Sequence, residues 1–145
     1  MRELITLPSA VALAGWAQLI LCIGVLALPK ILGWRKDTAQ LRPITREIFW
    51  VYAAYTWTMI CSFGLVSALA GNWILDAHPL AAALTCYMAL FWSVRIVLQF
   101  AALDRRDFPV GRIYKLAEVT LVGLFVLLAS TYTWAAVDNL TRVVP

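Results

Sequence analysis

LITLPSAVALAGWAQLILCIGVLALP, residues 4–29, runs from Glu3 to Lys30 without a charged side chain, 26 positions in all. A helix rises about 1.5 Å per residue, so roughly 17–25 apolar residues cross the ~30 Å hydrocarbon core of a bilayer. The stretch is long enough to span, and helix is the form to expect, because hydrocarbon offers no partner for a free backbone N–H or C=O. It is also too long and too uniformly apolar for the alternating strand of a membrane barrel.

The charges punctuate the rest of the chain in the same way. Between Glu47 and Asp76 lie 28 uncharged residues, between Glu118 and Asp138 lie 19, and from Asp76 to Asp104 the only interruption is Arg95. Four helices are expected, at about 7–28, 48–70, 80–103 and 117–137. The fold class is all-α: a four-helix transmembrane bundle, one integral membrane domain over 1–145. The composition agrees. Of 145 residues 63% are apolar and 14% charged, and the mean hydropathy is +0.81. A soluble fold this small cannot hide so much apolar surface. A soluble enzyme, a disordered tail and a disulfide scaffold are excluded.

Local punctuation supports these spans. Pro8 sits early in the first helix, where its missing N–H costs little, and Pro29 follows its end. Thr45, and Asp76 or His78 before Pro79, suit N-terminal caps. Trp34, Trp50, Trp73 and Trp134 fall near the ends, as in an aromatic belt. The first segment reads as a retained helix: Arg2 is matched by Glu3, the apolar run exceeds that of a signal peptide, and no small-residue cleavage site stands out.

Of the 12 Lys and Arg, nine fall in two connections. Lys30, Arg35, Lys36, Arg42 and Arg46 lie between helices 1 and 2, and Arg105, Arg106, Arg112 and Lys115 between helices 3 and 4. The 71–79 connection has none. The positive-inside rule puts both basic connections in the cytoplasm and both termini on the non-cytoplasmic side. The expected location is the bacterial inner membrane or an equivalent. The net charge of +4 is therefore first a topology signal, with attraction to anionic lipid headgroups beside it. No nucleic-acid partner is expected, since the basic stretches carry neither a reading helix nor a stacking platform. Each half reads helix, basic connection, helix, in the same orientation. The run Asp104-Arg105-Arg106-Asp107 reads as interface anchors, not as a metal site with Glu118.

An ionisable group within a membrane span is a functional candidate. Arg95 lies eight residues from Leu103, roughly 12 Å deep. Tyr55 lies as far from Glu47 on the antiparallel helix 2, and Gln18 is roughly 15 Å from the end of helix 1. Tyr52 and Gln99 lie nearer the surface, and Glu47 and Glu118 at the rim. A polar cleft open toward the cytoplasm is expected, with Arg95, Gln99, Tyr55, Tyr52, Gln18, Glu118 and Glu47 as candidate ligand-binding residues. The competing account is a lock in which Arg95 pairs with Glu118 or Glu47 and holds the bundle together.

The other residues add few sites. His78 is the single histidine and reads as a cap or loop residue, which leaves no bis-histidine haem within one chain. Cys22, Cys61 and Cys86 form no C-x-x-C pair and behave as small apolar residues, with palmitoylation of Cys22 a further option. Small residues at Gly64, Ala68 and Gly71, and at Ala10 and Ala14, mark faces for close packing. Trp50, Tyr52, Tyr55 and Trp57, with Phe91 and Trp92, read as packing and lipid contact or as the wall of a site for a flat apolar ligand. No catalytic set, phosphate loop, cofactor or metal is implied.

The length, four spans and basic connections resemble the membrane-associated eicosanoid and glutathione enzymes. The stretch that would carry their motif, Arg112-Ile113-Tyr114-Lys115-Leu116-Ala117-Glu118, lacks its Asn. The architecture is also similar to that of the small multidrug transporters, yet Gln18 stands where those have a helix-1 Glu. Both resemblances cover architecture alone.

Three functions compete. A non-enzymatic accessory, assembly or lipid-contacting subunit leads, with membrane lipids as partners and other membrane subunits or further copies of the chain as candidates. A small enzyme or binding protein for a lipophilic anionic substrate would use Arg95 and Tyr55. An oligomeric transporter would place Arg95 and Glu118 in its path.

Overall fold

A computed structural model describes residues 6–101 and 111–143; the charged run 104–107 lies outside them. Among the described residues the chain is helical, without strands. The elements are α1 (Leu7–Val25), α2 (Leu28–Ile31), α3 (Trp34–Thr38), α4 (Pro43–Leu69), a single 3-10 turn (Trp73–Leu75), α5 (Pro79–Ala101) and α6 (Arg112–Val143). Four segments, Leu7–Ile31, Pro43–Leu69, Pro79–Ala101 and Arg112–Val143, are long and apolar enough to cross a membrane. A third or less of each is buried inside the protein. Their outward faces carry apolar side chains such as Ile23, Leu69, Leu80 and Val97.

The helix ends depart from the expected ones, for local reasons. α1 stops at Val25, not near 28. Pro29 has no N–H for the Val25 carbonyl and its ring crowds that carbonyl. The closing turn tightens: the Leu26 N–H bonds Ile23 O at 3.3 Å and the Ala27 N–H bonds Gly24 O at 3.1 Å. Gly33, at φ +66°, then turns the chain into α3, a conformation that glycine adopts without a Cβ penalty. α4 begins at Pro43, five residues before the expected start, with proline at a first-turn position where no N–H is needed. α6 begins before 117 and runs past 137. Its last turn is held by an Asp138–Arg142 pair at 2.8 Å, one helical turn apart. Charge marks where the apolar stretch of a helix ends, not where the helix ends.

α1 packs along α4, α5 packs along α6, and α1 against α6 joins the two pairs. At Gly15 the α1 and α4 backbones come close together. A Cβ there would fall on the α4 backbone, 2.8 Å from the Ser67 carbonyl carbon and 2.9 Å from Ala68 Cα. On α4, Gly64 faces the Gly15 carbonyl and Leu19. The small-residue face of α4 is thus spent inside the bundle. The apolar core between the pairs is built from Phe63, Met88, Trp92, Phe125, Leu128 and Tyr132, all buried.

Two polar clusters cross this core. Gln18 is fully buried. Its Nε2 donates to Ile60 O at 2.9 Å, and its Oε1 accepts the Tyr132 hydroxyl at 2.9 Å. Tyr132 spends its proton there, so the Ser67 hydroxyl donates to Tyr132 Oη at 2.8 Å. Three helices are joined with every polar atom used. Nearer the chain's C-terminal end, Asn139 Nδ2 donates to Ile74 O at 2.7 Å and to Thr85 Oγ1 at 3.2 Å, and its Oδ1 accepts the Ala77 N–H at 3.2 Å. That bond holds Ala77 in the left-handed region, at φ +50°, and staples the 71–78 connection to α6. At the start of α5, His78 Nδ1 accepts the Leu80 N–H at 3.3 Å.

Two outcomes test this packing. Gly15→Ala forces the α1 and α4 backbones apart and is expected to cost about 1–3 kcal/mol. Gly123→Ala, with nothing near its Cβ, is expected to be neutral or stabilising by up to about 1 kcal/mol. Unfolding in mixed micelles measures both, and equal effects would contradict the close approach. Tyr132→Phe strands Gln18 Oε1 and the Ser67 hydroxyl and is expected to cost about 0.5–2 kcal/mol. A double-mutant cycle with Ser67→Ala should return a coupling of similar sign, and strict additivity would show that the bond contributes nothing.

Candidate functional site

Toward the end of the bundle that carries α2 and α3, the four long helices part around a cavity of about 650 Å³. α1 supplies Leu21 and Val25. α4 supplies Trp50, Tyr52, Trp57 and Ile60. α5 supplies Trp92 and Arg95, and α6 supplies Leu121 and Phe125. Leu28, Pro29 and Trp34 close one side. Arg95 is the one charged side chain among the lining residues, and the other walls are mostly apolar and aromatic.

The walls are fixed by named contacts. Because the end of α1 has tightened, the Cys22 carbonyl is left without the Leu26 N–H and accepts the Trp57 indole N–H at 3.0 Å. Phe63 meets Phe91 edge-on at 5.4 Å, Phe91 meets Trp92 edge-on at 5.4 Å, and Trp92 stacks on Phe125 at 5.5 Å. Trp92 and Arg95 are three residues apart on one face of α5, and both lie against Phe125. The Arg95 guanidinium carbon stands 4.8 Å from the centre of that ring, an attractive cation–π position. One turn on, Gln99 Oε1 accepts from Arg95 Nη1 at 3.0 Å. The ion pair between described residues is Asp138–Arg142, at the far end of α6, so no described carboxylate pairs with Arg95. The Trp92 indole N–H is buried and has no acceptor among the described residues. The cavity thus combines apolar walls with one charged donor, Arg95, whose hydrogen bond to Gln99 uses one of its N–H groups.

The candidate residues fall into three groups. Arg95 and Tyr52 line the cavity, and Gln99 is buried behind Arg95 as its acceptor. Gln18 does not line it, because its amide is used in the Ile60 and Tyr132 bonds. Tyr55, Glu47 and Glu118 do not line it either. Tyr55 is 71% exposed on the outer face, Glu47 is exposed, and Glu118 is half-buried on α6. The expected pairing of Arg95 with Glu47 or Glu118 is not made.

The azimuth of Tyr55 was available from the chain. At about 100° per residue it lies roughly 180° round the helix from Gly64, whose lack of a side chain marks the face against α1. Trp50, Trp57 and Trp92, which the sequence marks as a candidate aromatic wall, line the cavity, whereas Phe125 is a wall residue that neither depth, charge nor that aromatic clustering singles out. Among the described residues no three of His, Cys, Asp and Glu gather as a metal site would need. Compared with known proteins, the chain matches no family model, and no curated protein or solved structure is significantly similar to it.

Proposed function

We propose that this is a non-enzymatic, lipid-contacting membrane protein whose cavity binds an amphiphile: an apolar body between the indoles, with an anionic or acceptor-bearing group at Arg95. The observation that carries this reading is an arginine, unpaired by any described carboxylate, lining an apolar cavity of about 650 Å³, a size ordinary for small-molecule sites.

In this reading the segments bearing Lys30, Arg35, Lys36, Arg42 and Arg46, and Arg112 and Lys115, face the cytoplasm, and both termini face the other side. The cavity then opens to the cytoplasmic leaflet. A C-terminal alkaline phosphatase fusion is expected to be active, and the corresponding green fluorescent protein fusion dark. The reverse pattern would invert the topology.

The ligand reading has its own test. Trp34, Trp50, Trp57 and Trp92 line the cavity, so a brominated chain entering it quenches their fluorescence. Wild-type protein in detergent is expected to bind 9,10-dibromostearate more tightly than the corresponding alcohol. Arg95→Gln should weaken the acid about tenfold, equivalent to about 1.4 kcal/mol, and leave the alcohol within about twofold. Equal binding of acid and alcohol by the wild type, or an unchanged acid affinity in the variant, would end the proposal.

A further inference from the structure

A second recess lies beside the cavity, in the corner between α3 and the start of α4. It encloses about 350 Å³ and is lined by Arg35, Thr38, Ala39, Arg46 and Trp50. Trp50 also lines the large cavity, so its indole is the wall between the two.

The corner is built rather than incidental. Trp34 meets Phe49 edge-on at 5.4 Å and lies 6.5 Å from Trp50, and Phe49 and Trp50 meet edge-on at 5.6 Å. These rings pin α3 against α4. Thr38, buried, turns its hydroxyl inward to Trp34 O at 2.6 Å. Arg35 and Arg46 are thereby brought to one recess from positions 11 residues apart in the chain. No carboxylate lines it, and neither arginine forms an ion pair with a described residue. Two like charges facing one small recess repel each other, and an anion between them reverses the sign of that interaction. Arginine is suited to phosphate oxygens, because its planar fork bonds two at once.

We propose that Arg35 and Arg46 hold the phosphate of an anionic phospholipid headgroup, with the glycerol end resting on Trp50. The placement along α4 favours a lipid over a soluble anion. Arg46 and Trp50 are four residues apart, on one face of the helix, and Trp50 lies one turn further toward the apolar stretch that follows Glu47. A charged group above and an amphipathic indole below is the order that a phospholipid presents across the interface. A net-negative headgroup is selected over phosphatidylcholine, whose trimethylammonium is repelled by the same two arginines. This site stands independently of Arg95.

The test uses the full chain in dodecyl maltoside micelles carrying dioleoyl phosphatidylglycerol or dioleoyl phosphatidylcholine, with retained lipid read by native mass spectrometry. The wild type is expected to retain phosphatidylglycerol about tenfold better, a difference of about 1.4 kcal/mol. The double variant Arg35→Gln, Arg46→Gln should lose that preference. Arg95→Gln should keep it, and inorganic phosphate at millimolar concentration should not displace the lipid. Normal dibromostearate binding by the double variant shows that it is folded. If it has lost that too, the single variants decide, each expected to lose about half the preference on a free-energy scale. A preference that survives loss of both arginines, or displacement by inorganic phosphate alone, overturns the proposal.

Discussion

The structure depends on the contact of α1 with α4 at Gly15. No side chain separates the two backbones there, and the Ser67 and Ala68 main chain fills the space a Cβ would take. Gln18 sits one turn further along α1. The close approach puts its amide within reach of the Ile60 carbonyl on α4 and of Tyr132 on α6. A longer side chain at position 15 would move the Gln18 amide away from both its acceptor, Ile60 O, and its donor, the Tyr132 hydroxyl. The polar crossing of three helices is therefore a consequence of a missing side chain. In lipid, where apolar burial between helices drives little, such close packing and interhelical bonds supply what holds a bundle together.

The same pair of helices behaves differently toward the other end. Past Gln18, the faces of α1 and α4 carry Leu21, Cys22, Trp57 and Ile60, and the helices no longer meet backbone to backbone. α1 then stops because Pro29 removes an N–H and crowds a carbonyl. That interruption leaves the Cys22 carbonyl to take the Trp57 indole, which orients a wall of the cavity. The bundle is tight where small residues and the Gln18, Tyr132 and Asn139 clusters lie. It is hollow where the indoles lie. The hollow end is also the end with Arg35 and Arg46, so open space and positive charge occur together.

The gaps between charges were enough to find the four spans, since lipid tolerates so few of them. They were misleading about length. Ending helix 4 before Asp138 placed Asn139 outside the fold, where its bonds to Ile74, Ala77 and Thr85 could not be foreseen. Depth alone was legible: it put Tyr55 level with Arg95 and Tyr52 nearer the surface, yet it is Tyr52 that lines the cavity with Arg95. Direction was not. Depth counts residues along one axis, whereas facing Arg95 requires the rotation of each helix, which packing sets. Gln18 and Tyr55 have suitable depths and point elsewhere. The small-residue face of α4 carried the missing angle, but it turns into a prediction only once its partner helix is known.

The surroundings of Arg95 bear on which account of it is sounder. Placing an arginine at the centre of a spanning helix costs about 2.5–3.5 kcal/mol on insertion scales. A lock would recover this through a carboxylate, yet Glu47 and Glu118 lie away from the cavity. What Arg95 has is the Phe125 face, worth about 0.5–2 kcal/mol, and a charge-assisted bond to the neutral Gln99 amide, worth about 1.5–3 kcal/mol. These offset much of the cost and fix the direction of the guanidinium without neutralising it. They also use its face and one edge, which leaves its other N–H groups for a further partner. A side chain needed only to join helices could be a glutamine, which bonds more weakly but carries no charge to bury. Held in place by a ring and an amide, with no described carboxylate beside it, Arg95 has the arrangement that the proposed anionic ligand would require.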